Sequence, residues 1–185
     1  PVVLNGRVQD IRKSTISRNL VRQEDGYTGR VIIKSNLNCA GSPEHRLLGR
    51  PFSGLAAPSA QGRLPRGYRV YDSPGEVPEE IYHNPDWVVE RFLPEVENGL
   101  YHIRFCSFLG GRWCCARRCS SCPVLVSENC LEQREVIDPH PDILNIRTEL
   151  GLDYGKFDYV EHNGRAILID ANKTVGAGAP ALMQS

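Results

Sequence analysis

Short apolar runs recur along this chain, and some of them have the two-residue period of β-strands. The pattern predicts strands at Val31–Lys34, Tyr68–Tyr71, Asp86–Leu93 and Gly99–Leu109, and the last of these turns at Gly110-Gly111 into a partner strand, Arg112–Arg117. Helical spacing and a closing glycine predict a helix over Pro141–Leu150, and Pro78 begins a shorter one. We therefore predict an α+β fold in which most strands pair antiparallel.

The last predicted strands form a hairpin around an Asn163-Gly164 turn. The first of them carries Asp158 in apolar surroundings, and the second carries Asp170, followed two positions later by Asn172. Residues two apart on a strand share a face. Three oxygen-bearing side chains on rigid strands are typical of a site for a hard cation, and Mg²⁺ is the ion that this donor set suits best.

The length of the turn decides whether that site can form. A two-residue loop pairs His162 with Arg165 and puts Asp158 and Asp170 on opposite faces of the sheet. An odd-length or bulged turn at Gly164 shifts the register by one and puts both aspartates on one face. The second register also groups the apolar side chains on the other face, namely Phe157, Tyr159, Ile167 and Ile169. We therefore predict the odd or bulged turn.

Composition narrows the class of protein. The 185 residues contain 22 basic and 22 acidic side chains, which disfavours a nucleic-acid partner, and they contain no apolar run long enough to span a membrane. Because the chain begins with Pro and shows no leader, we interpret it as part of a longer protein that has lost its N-terminal region. Seven cysteines, an odd number, disfavour a disulfide framework and favour a reducing cytoplasm. The Cys119–Cys122 spacing leaves a zinc-binding module as an alternative.

Several charged residues occur where a nucleotide could use them. Lys34 ends an apolar strand before a glycine-containing turn, where it could reach a phosphate or simply extend into solvent. Glu90 follows two valines within a strand, where an unpaired carboxylate is unfavourable. Arg104 and Arg117 lie on paired strands, either to bind a carboxylate or phosphate or to form an exposed charge ladder.

The order of these features resembles the ATP-grasp superfamily, which includes D-alanine:D-alanine ligase and glutathione synthetase. The resemblance runs from about Val31 to Gly178, and its most specific part is Lys156-Phe-Asp158 followed by Leu168-Ile-Asp-Ala-Asn172. It implies that Asp158, Asp170 and Asn172 are the magnesium ligands, with Asp170 in place of the more common Glu.

The resemblance also implies roles for residues outside the hairpin. The implied nucleotide contacts are Lys13 and Lys34 on the phosphates, Glu90 and the backbone of Arg91 and Leu93 on adenine, and Glu97 on the ribose. Arg104 and Arg117 lie where the family keeps arginines for the transferring phosphate or the substrate carboxylate.

The resemblance implies two lobes that clamp the nucleotide: a smaller lobe at 31–89 and a larger lobe at 90–185, after a remnant of a preceding region at 1–30. Residues 44–67 are rich in Gly, Pro, Ser and Arg, a composition that predicts a loop or an insertion. The implied cofactors are ATP and Mg²⁺, with Mn²⁺ as an alternative metal. The implied activity is ligation: a small-molecule carboxylate is phosphorylated to an acylphosphate, which an amine or thiol then attacks. The alternatives are an ATP-grasp phosphotransferase, and a nucleotide-binding or zinc-binding module without turnover.

Overall fold

The computed structural model describes residues 3–8, 10–38, 68–126, 129–132 and 134–175. The predicted loop at 44–67, Cys39 and the glycines at 176 and 178 lie outside these residues. Among the described residues, no helix has the length and apolar character needed to cross a membrane. Three α-helices and nine strands are present there, and all the strand pairing is antiparallel. The predicted mixture of helix and antiparallel sheet is therefore confirmed.

The chain divides into two compact units. The smaller unit contains residues 12–93, and the larger unit contains 1–11 together with 94–185. This division differs from the boundaries predicted from the sequence, because residues 12–30 group with the smaller unit instead of preceding it, and the change of unit falls between Leu93 and Pro94.

The smaller unit is built on a three-stranded sheet. Its helices are α1 (Lys13–Ile16) and α2 (Glu79–His83), and its strands are β1 (Val31–Ser35), β2 (Arg69–Tyr71) and β3 (Trp87–Arg91), in the order β2-β1-β3. Val31, Ile33 and Val89 pack on one face with Val77 and Ile81. The opposite face carries Ile32 and Lys34 of β1, and Val88 and Glu90 of β3.

The larger unit is built on a six-stranded sheet. Its strands are β4 (Glu95–Glu97), β5 (Leu100–Leu109), β6 (Arg112–Ser120), β7 (Arg134–Ile137), β8 (Tyr154–His162) and β9 (Arg165–Asn172). The order is β7-β6-β5-β8-β9, and β4 pairs with the beginning of β5. The predicted strands of this unit are confirmed, whereas β4 and β7 carried no recognisable strand signal, because each is short and rich in charge.

One helix, α3 (Pro141–Leu150), belongs to the larger unit and ends at Gly151 as predicted, with a left-handed φ of 66° at that glycine. Ile143 and Ile146 on α3 are buried. The Arg147 guanidinium lies over the rings of Phe108 and Trp113, at 4.9 and 5.1 Å from their centroids. The helix therefore covers one side of the sheet, which we call the helix face; it also carries Phe157 and Tyr159, both fully buried.

The opposite side of the large sheet, which we call the aspartate face, carries Asp158 and Asp170. These two residues are direct cross-strand partners on β8 and β9, and Lys156 pairs with Asn172 two residues away. Phe105 and Ala116 continue the Asp158 row across β5 and β6.

The turn between β8 and β9 corrects a prediction. The loop has two residues, with His162 opposite Arg165, and both Asn163 and Gly164 have positive φ, 51° and 70°. This is the geometry that Asn-Gly favours in tight hairpins, and the predicted odd or bulged turn was wrong. The pairing of β8 and β9 is irregular at another point, away from the turn. Asp158 pairs with Asp170, but the next residue, Tyr159, pairs with Leu168.

The skipped residue is Ile169, and this bulge makes the register shift that had been placed at the turn. Asp158 and Asp170 consequently share a face, as predicted. Ile167 does not follow the prediction: it pairs with Val160 and so lies on the aspartate face, while Leu168 and Ala171 oppose Tyr159 and Phe157.

Candidate functional site

The two aspartates and Asn172 form a compact polar group on the aspartate face of the larger unit. Asp158 and Asp170 are opposite one another, and the Asn172 side-chain amide lies 3.5 Å from Asp170 Oδ2. One oxygen of each carboxylate, Oδ1, is fully buried. Two carboxylates and an amide oxygen are the hard donors that Mg²⁺ or Mn²⁺ accepts, so the set of side chains fits such a cation.

Lys156 belongs to this group, although the sequence reasoning assigned it no role. Its ammonium group lies 2.9 Å from Asp158 Oδ1 and 5.6 Å from the centre of the Phe105 ring. The two-residue spacing of Lys156 and Asp158 on one strand was the signal that could have identified it. The side chain is one-third exposed, so its charge can be shared with a ligand that approaches this face.

Gly155 keeps the end of β9 close to β8. A Cβ atom at this position would lie 2.3 Å from the backbone oxygen of Asn172 and 3.3 Å from Phe108 Cζ. No side chain fits into that space without moving β9. Glycine therefore allows the close backbone approach of the Asn172 end of β9 to β8.

The smaller unit contains a separate buried pair. Lys34 Nζ donates to Glu90 Oε2 at 2.6 Å, and the two residues are 8% and 1% exposed. The other carboxylate oxygen, Oε1, is buried and has no hydrogen-bond partner among the described residues. The prediction placed Lys34 on a phosphate and Glu90 on adenine, whereas here the two side chains bind each other.

Lys13 lies in α1, within the segment 1–30 that was predicted to be a remnant of a preceding region. It is 6% exposed, and its ammonium group donates to Asn38 Oδ1 at 3.2 Å. Its backbone N–H donates to the Asn36 carbonyl at 3.0 Å. Lys13 is therefore built into the fold more firmly than expected, because a short helix and an asparagine turn surround it.

Arg91 and Leu93, the residues whose backbone is predicted to contact adenine, differ in how much of that backbone is hydrogen-bonded within the protein. The Arg91 N–H donates to the Asn19 carbonyl at 2.9 Å, and the Arg91 carbonyl accepts from Asn19 Nδ2, also at 2.9 Å. The Arg91 guanidinium lies over the Tyr27 ring. Leu93 is half-buried, and its backbone has no hydrogen-bond partner in the described parts of the chain. Of the two predicted backbone contacts, only that of Leu93 is left for a ligand by this arrangement.

Arg104 and Arg117 do not lie with the aspartates. Arg104 pairs with Tyr159 on one side and with Arg117 on the other, so both arginines project from the helix face. Asp158 pairs with Phe105, one residue further, and projects from the aspartate face. Strand alternation thus places the predicted catalytic arginines and the predicted metal ligands on opposite faces of the sheet.

Carboxylates surround these two arginines instead. Arg104 makes a forked contact with Glu95 and lies 2.9 Å from Glu161 Oε2. Arg117 contacts Glu95 at 2.9 Å and also binds Glu97, the predicted ribose ligand. Glu97 is exposed on β4 and is engaged in this network.

The network determines the ionisation of its central carboxylate. Burial alone would raise the pKa of Glu95. Hydrogen bonds from Arg104 and from the Glu161 backbone N–H, together with the charges of Arg104 and Arg117, outweigh burial and hold the pKa below its usual value. Burial alone would lower the pKa of Arg104, but its hydrogen bond to Glu95 and the charges of Glu95 and Glu161 outweigh burial and raise that pKa. The arrangement is that of a satisfied structural network.

The cysteines also differ from expectation. Cys106 and Cys115, opposite one another on β5 and β6, form a disulfide bond on the helix face, whereas the odd cysteine count had disfavoured disulfides. Cross-strand neighbours are close enough to bond, and pairing of this kind depends on register, which the count does not contain. Within the described ranges, no three His, Cys, Asp or Glu side chains form a metal cluster.

Comparison with known proteins finds distant structural similarity to solved structures. No family model matches the chain, and no curated protein is recognisably similar in sequence. Among solved structures, D-alanine–D-alanine ligase from Bacillus anthracis is similar at 13% identity with a TM-score of 0.41. The match covers 88% of this chain and 53% of the ligase chain, so the chain spans about half the length of that protein. This is a distant structural similarity and no more.

Proposed function

We propose that this chain is an ATP- and magnesium-dependent ligase domain that activates a carboxylate as an acylphosphate for attack by an amine or thiol. The observation that carries the proposal is the register of the last hairpin, which places Asp158 opposite Asp170 with Asn172 on the same face. The ATP-grasp pattern in the sequence requires these three side chains to act together, and a register one residue different would have separated them.

In this proposal Asp158, Asp170 and Asn172 hold the cation. When bound, Mg²⁺ supplies neutralisation of the negative charge on the phosphate oxygens. Lys156 lies within ion-pair distance of Asp158 and would orient that carboxylate while adding positive charge on the same face. Phosphoryl transfer needs mainly positioning and charge neutralisation, which these residues can provide without covalent chemistry.

In the smaller unit, Lys34 would donate to a nucleotide phosphate and Leu93 would offer its free backbone groups to the base. An ammonium group has three N–H donors, so Lys34 could donate to a phosphate while it keeps its hydrogen bond to Glu90. The clamping of one nucleotide by both units remains a prediction from the resemblance, and cytoplasmic localisation remains a prediction from the cysteine content.

A nucleotide-binding module without turnover is the second candidate, and one observation favours it. Arg104 and Arg117, the residues predicted to stabilise the transferring phosphate, project from the helix face and are bound by glutamates. If no other residue replaces them, the chain would bind nucleotide and not catalyse transfer.

Calorimetry with ATP, with and without Mg²⁺, tests the proposal. We expect binding that depends on Mg²⁺ and that falls about tenfold or more in D158N and D170N, because each variant removes a charged contact. The D86N variant, which changes an exposed turn aspartate of the smaller unit, is the matched control and should bind normally. Equal affinity with and without Mg²⁺ would remove the metal assignment.

Product analysis separates the reaction classes. A ligase forms ADP, phosphate and a new amide or thioester when given its carboxylate and nucleophile. A phosphotransferase leaves a stable phosphorylated product, and a binding module leaves ATP unchanged. The longest available form of the protein should be used, because substrate contacts can lie outside this chain.

A further inference from the structure

Asn172, a ligand of the proposed cation site, is the last residue of β9. It pairs with Lys156, and this pair is the last one of the β8–β9 ladder on that side, because the preceding β8 residue, Gly155, has no partner on β9. Strand ends open more readily than strand centres, since fewer contacts hold them. The position of Asn172 therefore depends on what holds the backbone just beyond the ladder.

The side chain of Asn5 binds the backbone just beyond the ladder on both strands. Its Nδ2 donates to the Tyr154 carbonyl at 2.8 Å and, at the longer distance of 3.5 Å, to the Lys173 carbonyl. Its Oδ1 accepts from the backbone N–H groups of Asp153 and Tyr154, at 2.8 and 3.0 Å. One amide thus joins the first residue of β8 to the residue that directly follows Asn172.

The segment that carries Asn5 is itself fixed at this place. The Lys173 ammonium group donates to the Val8 carbonyl at 3.1 Å, and the Val8 N–H closes a turn by donating to the Asn5 carbonyl at 3.0 Å. Asn5 has a φ of 57°, in the left-handed region that asparagine enters more readily than most residues other than glycine. Backbone of this kind is unfavourable for most side chains and is concentrated at functional sites. The backbone and the amide of Asn5 therefore both suit a residue that joins the two strands.

We propose that Asn5 is a positioning residue for the cation site and acts by holding Asn172 in place at the end of β9. Its action is indirect, because its hydrogen bonds go to the backbone on either side of the Lys156–Asn172 pair. Replacing residues that hold metal ligands in this way commonly weakens metal binding by about 10–100-fold. The hydrogen bonds of Asn5 are given by the geometry, whereas their importance for a cation rests on the proposed function.

The test compares two asparagine-to-glycine variants of the larger unit. N5G removes the amide and leaves a residue that adopts a φ of 57° without strain. N129G is the matched control, because the Asn129 amide also binds backbone groups: it accepts from the Val126 N–H and donates to the Val124 carbonyl, both at 2.9 Å. Those bonds organise the loop after β6, and none of the proposed cation ligands lies in that loop.

A second variant, N5D, keeps the test decisive if N5G does not fold. Its carboxylate can still accept from the N–H groups of Asp153 and Tyr154, but it has no N–H to donate to the Tyr154 and Lys173 carbonyls. Thermal unfolding of every variant defines a temperature at which all the folded variants remain folded, and the measurements are made there.

Calorimetry gives the Mg²⁺ concentration at which ATP binding is half-maximal. We expect N5G and N5D to need about tenfold more Mg²⁺ than wild type, and N129G to need the same concentration as wild type. Hydrogen–deuterium exchange, followed by mass spectrometry, should be faster over residues 171–175 in N5G and unchanged over residues 164–167, at the other end of β9.

Two results would overturn the inference. One is a Mg²⁺ requirement that is unchanged in the Asn5 variants. The other is an equal rise of that requirement in N5G and N129G, which a general loss of stability would explain.

Failure of this inference is distinguishable from failure of the proposed function. If wild-type ATP binding needs Mg²⁺ and is weakened by D158N, while N5G and N5D change nothing, only this inference fails. If wild-type ATP binding does not depend on Mg²⁺, the proposed function fails and the role of Asn5 in cation binding fails with it. Faster exchange over residues 171–175 in N5G would then still support the hold of Asn5 on the end of β9.

Discussion

Replacing Lys34 with methionine measures the role of a buried ion pair in the smaller unit. Lys34 Nζ lies 2.6 Å from Glu90 Oε2, and both side chains are buried. Methionine keeps the unbranched shape of lysine and removes its charge, so K34M leaves the Glu90 carboxylate buried without a counter-ion. The second oxygen of Glu90 is also buried and has no hydrogen-bond partner among the described residues that could compensate.

Removing one partner of a buried ion pair destabilises a protein by about 3–5 kcal/mol. We expect K34M to lower the free energy of unfolding by an amount in this range. That is a large fraction of the free energy of unfolding of a typical domain, which is about 5–15 kcal/mol. Replacing both partners by apolar residues is often neutral, so the double variant K34M/E90L should recover to within about 1 kcal/mol of wild type. The partly exposed pair Lys156–Asp158 supplies the control, and K156M should change stability by about 1 kcal/mol or less.

Urea unfolding followed by tryptophan fluorescence gives these free energies. The chain has two tryptophans, Trp87 on β3 of the smaller unit and Trp113 on β6 of the larger unit. A W113F background leaves Trp87 to report on the unit that contains the ion pair. If K34M is no more destabilising than K156M, or the double variant is less stable than K34M, then Glu90 is not the buried and uncompensated charge described here.

Three further outcomes follow from the larger unit. The pKa of Glu95 is held below its usual value despite burial, so its stabilisation is present at neutral pH and is lost as pH falls through the folded-state value. E95Q should therefore be less stable than wild type at neutral pH and lose less stability on acidification, and parallel pH–stability curves measured by circular dichroism would contradict this. A methyl group at Gly155 would meet the Asn172 backbone oxygen at 2.3 Å, so G155A should lose about 1–3 kcal/mol of unfolding free energy in urea and also weaken magnesium-dependent ATP binding. Non-reducing peptide mapping should recover Cys106 linked to Cys115, and replacing both by serine should lower stability by about 2 kcal/mol; a bond from Cys106 to any other cysteine would refute the β5–β6 register.

Much of the fold could be predicted because its signals are local. Short apolar runs identified β1 and β3, alternation identified β5, the Gly110-Gly111 turn identified the start of β6, helical spacing identified α3, and Asn163-Gly164 identified the final hairpin. The candidate cation ligands were also found this way, since Asp170 and Asn172 are two residues apart on one strand. These features need only the period of a strand or helix and the conformational preferences of a turn.

The contacts that depend on strand register could be found only from the tertiary structure. The shift that brings Asp158 and Asp170 together arises from the bulge at Ile169, and nothing in the turn sequence indicates it. A displacement of one residue decides on which face every later side chain lies. The same physical reason explains the disulfide between Cys106 and Cys115, which are close only because β5 and β6 pair as they do.

The charged residues show most clearly what the sequence predicts and what only the tertiary structure decides. From the sequence, Arg104, Arg117 and Arg118 are similar arginines on paired strands, and Lys34 and Glu90 are 56 positions apart. Strand alternation puts Arg104 and Arg117 against glutamates on one face and Arg118 beside Arg134 on the other, and β1–β3 pairing joins Lys34 to Glu90. The sequence by itself determined which strands exist and which side chains could bind a cation or an anion. The tertiary structure decided which of them meet, because contacts between strands depend on pairing over long separations that no local pattern records.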